Sequence, residues 1–359
     1  MKTQHIPVVR GRGTSTNTNS RFDQWTRSPD DEKDAADYAQ ESSFGWKTET
    51  TEERAKTIIA RNDSPDVPFD QSINPYRGCE HGCSYCFARP THAYLGLSPG
   101  LDFERRLFVK TNAGEQLRRE LDKPNYHPSV IAMGTNTDPY QPIERDRKIT
   151  REILEILEAY GHPVAITTKS ALVVRDSDIL ARMAAKGLAR VFISVTTLDP
   201  ELARKLEPRA NAPMRRLEAI RKLAKEGIPT GVLVAPIIPA LNDSDLERIL
   251  ENATDAGAEA AGYVMLRLPL EVRDIFIDWL ATHYPDRQKH VLSLIEQIRE
   301  GNLYQSEFGT RMRGTGLFAE LVEKRFSMAC RRLGLNIHRR QLRTDLFRRA
   351  NTDNQLSLF

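Results

Sequence analysis

Short apolar, β-branched runs at 130–133, 164–167, 191–195, 231–234 and 263–266 alternate with stretches in which apolar residues recur every three or four positions, at 149–160, 176–186, 214–226 and 244–256. Runs of four or five apolar residues without alternation predict strands buried on both faces, and helices between them supply the crossovers of a parallel sheet. Asp176 is placed to cap the second of these helices and Asp243 or Ser244 the fourth, while Gly161, Gly187, Gly227 and Gly257 close all four. With 72–77 as the first strand, the pattern predicts six βα units, too few for an eight-stranded barrel. Right-handed crossovers wind such a series toward a barrel or an open doubly wound sheet.

The two ends of the chain break this rhythm. Residues 1–60 are rich in Ser, Thr, Asn, Asp and Arg, with few aliphatics and no sustained period, and predict a disordered N-terminal segment. Residues 61–270 hold the βα series. From 271 to 359 the pattern is helical through 286–300 and 317–333, with a Gly-rich stretch at 308–316 between them, and predicts an extension covering the sheet.

At 359 residues, 40% hydrophobic and 28% charged, the chain has the composition of an ordinary globular protein. It contains no apolar run of membrane-spanning length and its start lacks the apolar block of a signal peptide, which predicts a cytoplasmic protein without a membrane partner. The net charge of +3 decides little. Its distribution says more: beyond Arg311 the basic residues, Arg313, Lys324, Arg325 and Arg339 among them, outnumber the acids. Such a tail suits either a phosphate backbone or a solvated helix surface.

Three of the four cysteines fall within eight positions, which in a reducing compartment indicates a metal site, not a disulfide framework. Cys330 stands apart and reads as a small buried apolar residue. In parallel α/β folds ligands sit at the carboxyl ends of the strands. Cys79–Cys86 follows the first strand, 134–138 the second, 168–170 the third and 235–236 the fifth. The spacing C-x3-C-x2-C, with Gly78 and Gly82 to bend the backbone, lets three thiolates meet one centre. A [4Fe–4S] cluster normally takes four thiolates, so three leave one iron open, as a catalytic metal requires. Zinc completed by His81 or His92 is the structural alternative, but no second ligand hairpin follows.

With the aromatic Tyr85 before the last cysteine, this loop after the first strand of six βα units resembles the radical S-adenosylmethionine (SAM) superfamily. The resemblance implies a partial (βα)6 barrel, SAM bound at the open iron, and a 5′-deoxyadenosyl radical that abstracts hydrogen from a substrate. Further matches at 72–79, 134–142, 167–170 and 234–237 are similar to the spore photoproduct lyase-related branch, described as DNA repair photolyase-like. That branch implies that Thr135, Asn136 and Asp138 meet the amino-acid end of SAM and that Lys169 meets its carboxylate. Ser194 and Thr196 then face the ribose, the Ala235 backbone faces the adenine, and Tyr85 lies near it. Glu207 and Arg209 are expected as a polar pair on the same rim. Spore photoproduct lyase itself carries a hydrogen-donating cysteine on its second strand; here 132–138 has none, which argues against thymine-dimer-type repair but not against SAM cleavage.

The resemblance also implies a cellular electron donor such as flavodoxin or ferredoxin, and the basic tail favours nucleic acid as substrate. No catalytic side chain is assigned from sequence. The competing expectation is a non-catalytic iron–sulfur protein that senses redox state or carries electrons, for which a polar rim at the strand ends is superfluous.

Overall fold

The computed structural model describes residues 47–338 and 341–349, with short stretches between 4 and 22. Six parallel strands stand side by side in chain order: β1 (Gln71–Ile73), β2 (Ile131–Met133), β3 (Val164–Thr168), β4 (Ala189–Ser194), β5 (Thr230–Ile237) and β6 (Ala260–Met265). The register runs Ile73 to Met133 to Ile166, and Val232 pairs with both Ile193 and Ala261. Strand Ile59–Arg61 adds antiparallel outside β1, so β6 and this strand are the two edges of a partial barrel. Helices α1 (Ala113–Leu121), α2 (Ile149–Ala159), α3 (Ser177–Ala185), α4 (Pro213–Lys225) and α5 (Leu246–Asp255) alternate with the strands.

The strands are not buried equally on both faces, as the apolar runs predict. Val164, Ile166, Val191 and Ile193 are buried, while Ala165, Thr167, Arg190, Phe192 and Leu233 between them are half-buried. Six strands do not close into a full barrel, which leaves those positions only partly covered.

The segment 72–77 divides. Its first part is in β1, whereas Tyr76–Arg77 turns into a second, three-stranded sheet with Arg106–Lys110 and Glu49–Glu53. Gly161, Gly187, Gly227 and Gly257 lie at positive φ just past their helices, as expected. The acidic caps do not form. Arg151 and Arg175 take the Asp176 carboxylate at 3.0 and 2.7 Å, and Asp243 and Ser244 lie in a 3-10 turn ahead of α5.

Of the first sixty residues, 1–3, 6–10, 15, 19 and 23–46 lie outside the described part. Residues 11–14 pack on the core, and Glu49–Glu53 is a strand. The C-terminal region is helical: α6 (Val272–His283), α7 (Pro285–Gln297) and α8 (Gly316–Leu333). Helix α8 lies on α5 through Arg325–Glu247 and Arg332–Glu251, each at 2.6 Å, and buries Cys330 in the main core. Leu266, Phe276 and Trp279 join Cys83, Tyr85 and Leu206 in a second apolar cluster, which fixes the cysteine loop from the C-terminal side.

The Gly-rich stretch between α7 and α8 links the two sheet edges. Met265 donates its backbone N–H to Met312, while Asp66, in the turn after Ile59–Arg61, accepts from Gly309 and pairs with Arg311. Those interactions bind the stretch to protein at both sheet edges. Among the described residues, no helix is long and apolar enough to cross a membrane.

Candidate functional site

The cysteine loop leaves β1 by way of Tyr76–Arg77 and is tied at both ends. Cys79 donates its N–H to Phe103 at 2.9 Å, Ser84 donates to Leu206 at 3.0 Å, and Gln141 bridges the Glu80 N–H and the Gly78 carbonyl at 2.9 and 3.2 Å. Gly78, at φ +77°, admits no side chain: a Cβ would lie 2.6 Å from Leu107. Beneath the loop, Arg89 is fully buried. It donates to the Cys83, Pro99 and Gly100 carbonyls and pairs with buried Glu104. Glu104 in turn accepts from the Gly13 N–H at 2.9 Å, and Gly13 packs so closely on the Gly82 carbonyl that a Cβ would fall 1.6 Å from it.

All three loop cysteines are free thiols, Cys79 and Cys83 buried and Cys86 half-buried. Burial pushes each thiol above its ordinary pKa, and for Cys83 and Cys86 the positive charge of Lys169 opposes that shift. Metal coordination deprotonates such thiols outright. Beside them Ser84 Oγ and Glu80 Oε2 are buried without a hydrogen-bond partner among the described residues. No three His, Cys, Asp or Glu side chains among those residues gather as ligands of a single metal ion. A four-iron cube makes a different demand, because each thiolate binds a different iron. Three free thiols on one pinned loop, next to unpartnered polar atoms, fit that group.

From the loop, a hydrogen-bonded chain runs across the ends of β3, β4 and β5. Lys169 Nζ donates to Ser194 Oγ at 3.2 Å and lies 5.9 Å from the Tyr85 ring centre. The Ser194 hydroxyl donates to the Ala235 carbonyl at 3.3 Å, and Thr196 Oγ1 lies 3.1 Å from the same oxygen. Thr196 also reaches Glu207 at 2.6 Å, and the Tyr85 hydroxyl donates to the same carboxylate. Asp138 accepts from the Lys169 N–H at 2.7 Å and Thr168 Oγ1 at 2.6 Å, and stands 3.4 Å from His81 Nδ1. Burial alone would raise the Asp138 pKa, but His81 and these donors hold it at about 2.

Six of the expected cofactor residues, Tyr85, Asp138, Lys169, Ser194, Thr196 and Ala235, therefore share one rim. Thr135 and Asn136 stand apart from that chain, in a loop gathered by Asn74, whose Oδ1 accepts from Thr135 Oγ1 at 3.3 Å and the Asn136 N–H at 3.1 Å. The expected pairing of Glu207 with Arg209 does not occur. Glu207 pairs with Arg216, which is buried and also donates to the Ser194 carbonyl at 3.0 Å. Burial would raise the Glu207 pKa; Arg216, Lys169 and the two hydroxyls bring it to about 2. Arg209 turns to Glu80 at 3.0 Å and Thr48 at 3.1 Å.

Sequence reasoning missed Arg216, Arg89, Glu104 and residues 12–13. Only Gln141 had a visible signal, since it lies in the 134–142 match. Several basic residues of the tail are engaged, Arg311, Arg325, Arg332 and Arg343 in ion pairs, while Arg339 and Arg340 lie outside the described residues.

The family model of the radical SAM superfamily matches residues 73–253. An uncharacterised protein of Mycobacterium tuberculosis is 40% identical over 222 residues, which are 61% of this chain and 65% of that protein, so the match spans just under two thirds of the relative. A radical SAM Nalpha-GlyT isomerase of a Pseudomonas phage is 26% identical over 194 residues, 53% of this chain and 38% of that protein. Among solved structures, spore photoproduct lyase complexed with dinucleoside spore photoproduct shares the fold, with a TM-score of 0.56 at 18% identity over 80% of each chain.

Proposed function

The chain belongs to the radical SAM superfamily, and from that premise we propose that it holds a [4Fe–4S] cluster on Cys79, Cys83 and Cys86, cleaves SAM reductively, and acts on nucleic acid. Held by Cys79, Cys83 and Cys86, such a cluster would supply the electron that reductive SAM cleavage requires, and the chemistry it would support is hydrogen abstraction from the substrate by a 5′-deoxyadenosyl radical.

The chain's own residues bind and orient. Lys169 presents a single ammonium, suited to a carboxylate, at a strand end where Tyr85 closes one side. Thr135, Asn136 and Asp138 serve the amino-acid end; Asp138 also fixes the backbone of Lys169 and so the start of that side chain. Ser194 and Thr196 offer hydroxyls to the ribose from one position, because both already meet at the Ala235 carbonyl, and that backbone serves the adenine. Glu207, held ionised by Arg216, orients Tyr85 and Thr196 from behind.

The observation that carries the reading is this continuous polar rim, which starts from the loop of three free thiols. An electron carrier has no use for it. The reductant is a small electron-transfer protein of the flavodoxin or ferredoxin kind, and the protein works in the cytoplasm. Nucleic acid is favoured by the likeness in fold to a spore photoproduct lyase complexed with dinucleoside spore photoproduct. Thymine-dimer-type repair is disfavoured: Cys330 is the one cysteine outside the loop, and α8 turns it into the main core, where burial raises its pKa to about 11.

The test is anaerobic reconstitution followed by dithionite, SAM and chromatography for 5′-deoxyadenosine, with and without oligonucleotides. The proposal expects release in both cases and more with the right oligonucleotide. No release sinks the enzyme assignment, and release that no oligonucleotide alters sinks the choice of substrate class.

A further inference from the structure

A cleft of about 320 Å³ opens beside the cysteine loop, among the segments that follow β2, β3 and β4. None of the residues assigned to SAM lines it. Its walls carry Arg145, Arg209 and Arg215 with His81 and Asn211. The volume is at the lower end of small-molecule sites, and the lining is cationic where such sites are ordinarily apolar.

The charges are left available. Neighbouring arginines are committed: Arg147 to Glu52 at 3.0 Å, Arg151 to Asp178 at 3.0 Å, Arg175 to Glu144 at 2.7 Å, and Arg216 to Glu207. The exposed side chains of Arg145 and Arg215, by contrast, make no hydrogen bond or ion pair among the described residues. Arg209 is steadied by Glu80 and Thr48, so one carboxylate offsets one of three guanidiniums and the cleft keeps an excess of two positive charges. Asn211 spends its carbonyl oxygen on the Ala171 N–H at 2.7 Å and Ser170 Oγ at 3.3 Å, which leaves its amide N–H groups as donors. His81 turns Nδ1 to Asp138 and brings the cluster loop itself into the wall.

Planar, always-charged guanidiniums in a concave site match the tetrahedral oxygens of phosphate. We propose that this cleft binds a phosphoryl group of the substrate, held by Arg145 and Arg215 with Arg209 and Asn211, and so anchors the substrate beside the cluster loop. The proposal deepens the nucleic-acid reading above by naming how the substrate is gripped, but its test needs no turnover. A backbone phosphodiester and a phosphorylated small molecule share this chemistry.

The test is fluorescence anisotropy on the anaerobically reconstituted protein, with a labelled single strand of roughly ten nucleotides and with thymidine monophosphate and pyrophosphate as competitors. The Arg145→Gln/Arg215→Gln double variant is expected to bind the strand at least about tenfold more weakly and to lower the slope of log affinity against log salt by about 0.7–1.4, one or two phosphate contacts. A control double variant, Arg119→Gln/Lys225→Gln, removes the same charge from exposed sites elsewhere and is expected to change binding less than about threefold. If the strand binds far more tightly than the competitors, the phosphoryl group is a backbone one; if thymidine monophosphate binds as well as the strand and loses as much in the variant, it belongs to a small molecule. Equal losses in the two double variants, or no loss in the first for any probe, overturn the proposal. Failure of 5′-deoxyadenosine release would strike the functional reading alone.

Discussion

Replacing Arg216 with methionine would leave the Glu207 carboxylate buried without its counter-ion. Glu207 and Arg216 have side chains only 1% and 2% exposed, so solvent cannot take over the lost interaction. Breaking a buried pair on one side costs about 3–5 kcal/mol. Linkage gives a net figure for all the groups around Glu207 together. Glu207 titrates at about 2 instead of its ordinary 4.5, which amounts to about 3 kcal/mol of stability at neutral pH. The sign follows from the depressed pKa: that stability is present above about 4.5 and is lost as the pH falls toward 2. The assay is urea unfolding of cluster-free protein at pH 7, under reducing conditions with chelator. Arg216→Met should lose about 3–5 kcal/mol, and Arg216→Met/Glu207→Gln should recover at least about 1 kcal/mol of it, because the neutral amide still accepts from Tyr85 and Thr196. A single variant within about 1 kcal/mol of wild type, or a double variant less stable than the single, would refute the pair as the organiser of this rim.

The remaining predictions concern the rim, the N-terminal contact and a buried histidine. Lys169→Met should weaken SAM binding by about 10–100-fold in equilibrium dialysis, as loss of a charge-assisted hydrogen bond implies, without lowering iron content; unchanged affinity would remove Lys169 from the site. Gly13→Ala should push residues 11–14 off the loop, since its Cβ would fall 1.6 Å from the Gly82 carbonyl, and speed iron loss in air; equal loss rates would show that the contact protects nothing. His162 Nε2 lies 2.7 Å from the Tyr126 hydroxyl and burial lowers the His162 pKa to about 4, so the unfolded chain binds the extra proton between pH 6.5 and 4 and stability falls as the pH drops through that window. The stability advantage of wild type over His162→Gln should therefore shrink by about 2 kcal/mol between pH 7 and pH 5 in urea titrations, and a constant gap would contradict the assignment.

Much of the barrel was legible because it rests on one-dimensional signals. Apolar runs marked β2–β6 to within a few residues, and glycines past helix ends have one common use. The cysteine loop and most of the rim were legible too, since ligand-bearing sequences follow strand ends. Other features depend on choices that only the fold makes. Asp176 reads as a cap, but two arginines from different elements compete for it and win. Arg216 sits in an amphipathic helix, where a charged residue reads as surface, and Glu207 gave no sign that its partner lay nine positions on instead of two. Residues 11–14 attach through glycine contacts and a backbone donor, with no apolar pattern to announce them.

The central claim is that three thiolates from one loop hold an iron cube with a corner free for SAM. Electron paramagnetic resonance of the dithionite-reduced, anaerobically reconstituted protein, before and after adding SAM, tests it most directly. The account predicts a reduced four-iron signal that changes shape on SAM addition and is lost from Cys79→Ser, Cys83→Ser and Cys86→Ser alike. A signal indifferent to SAM, or one that survives removal of any of the three sulfurs, would contradict it.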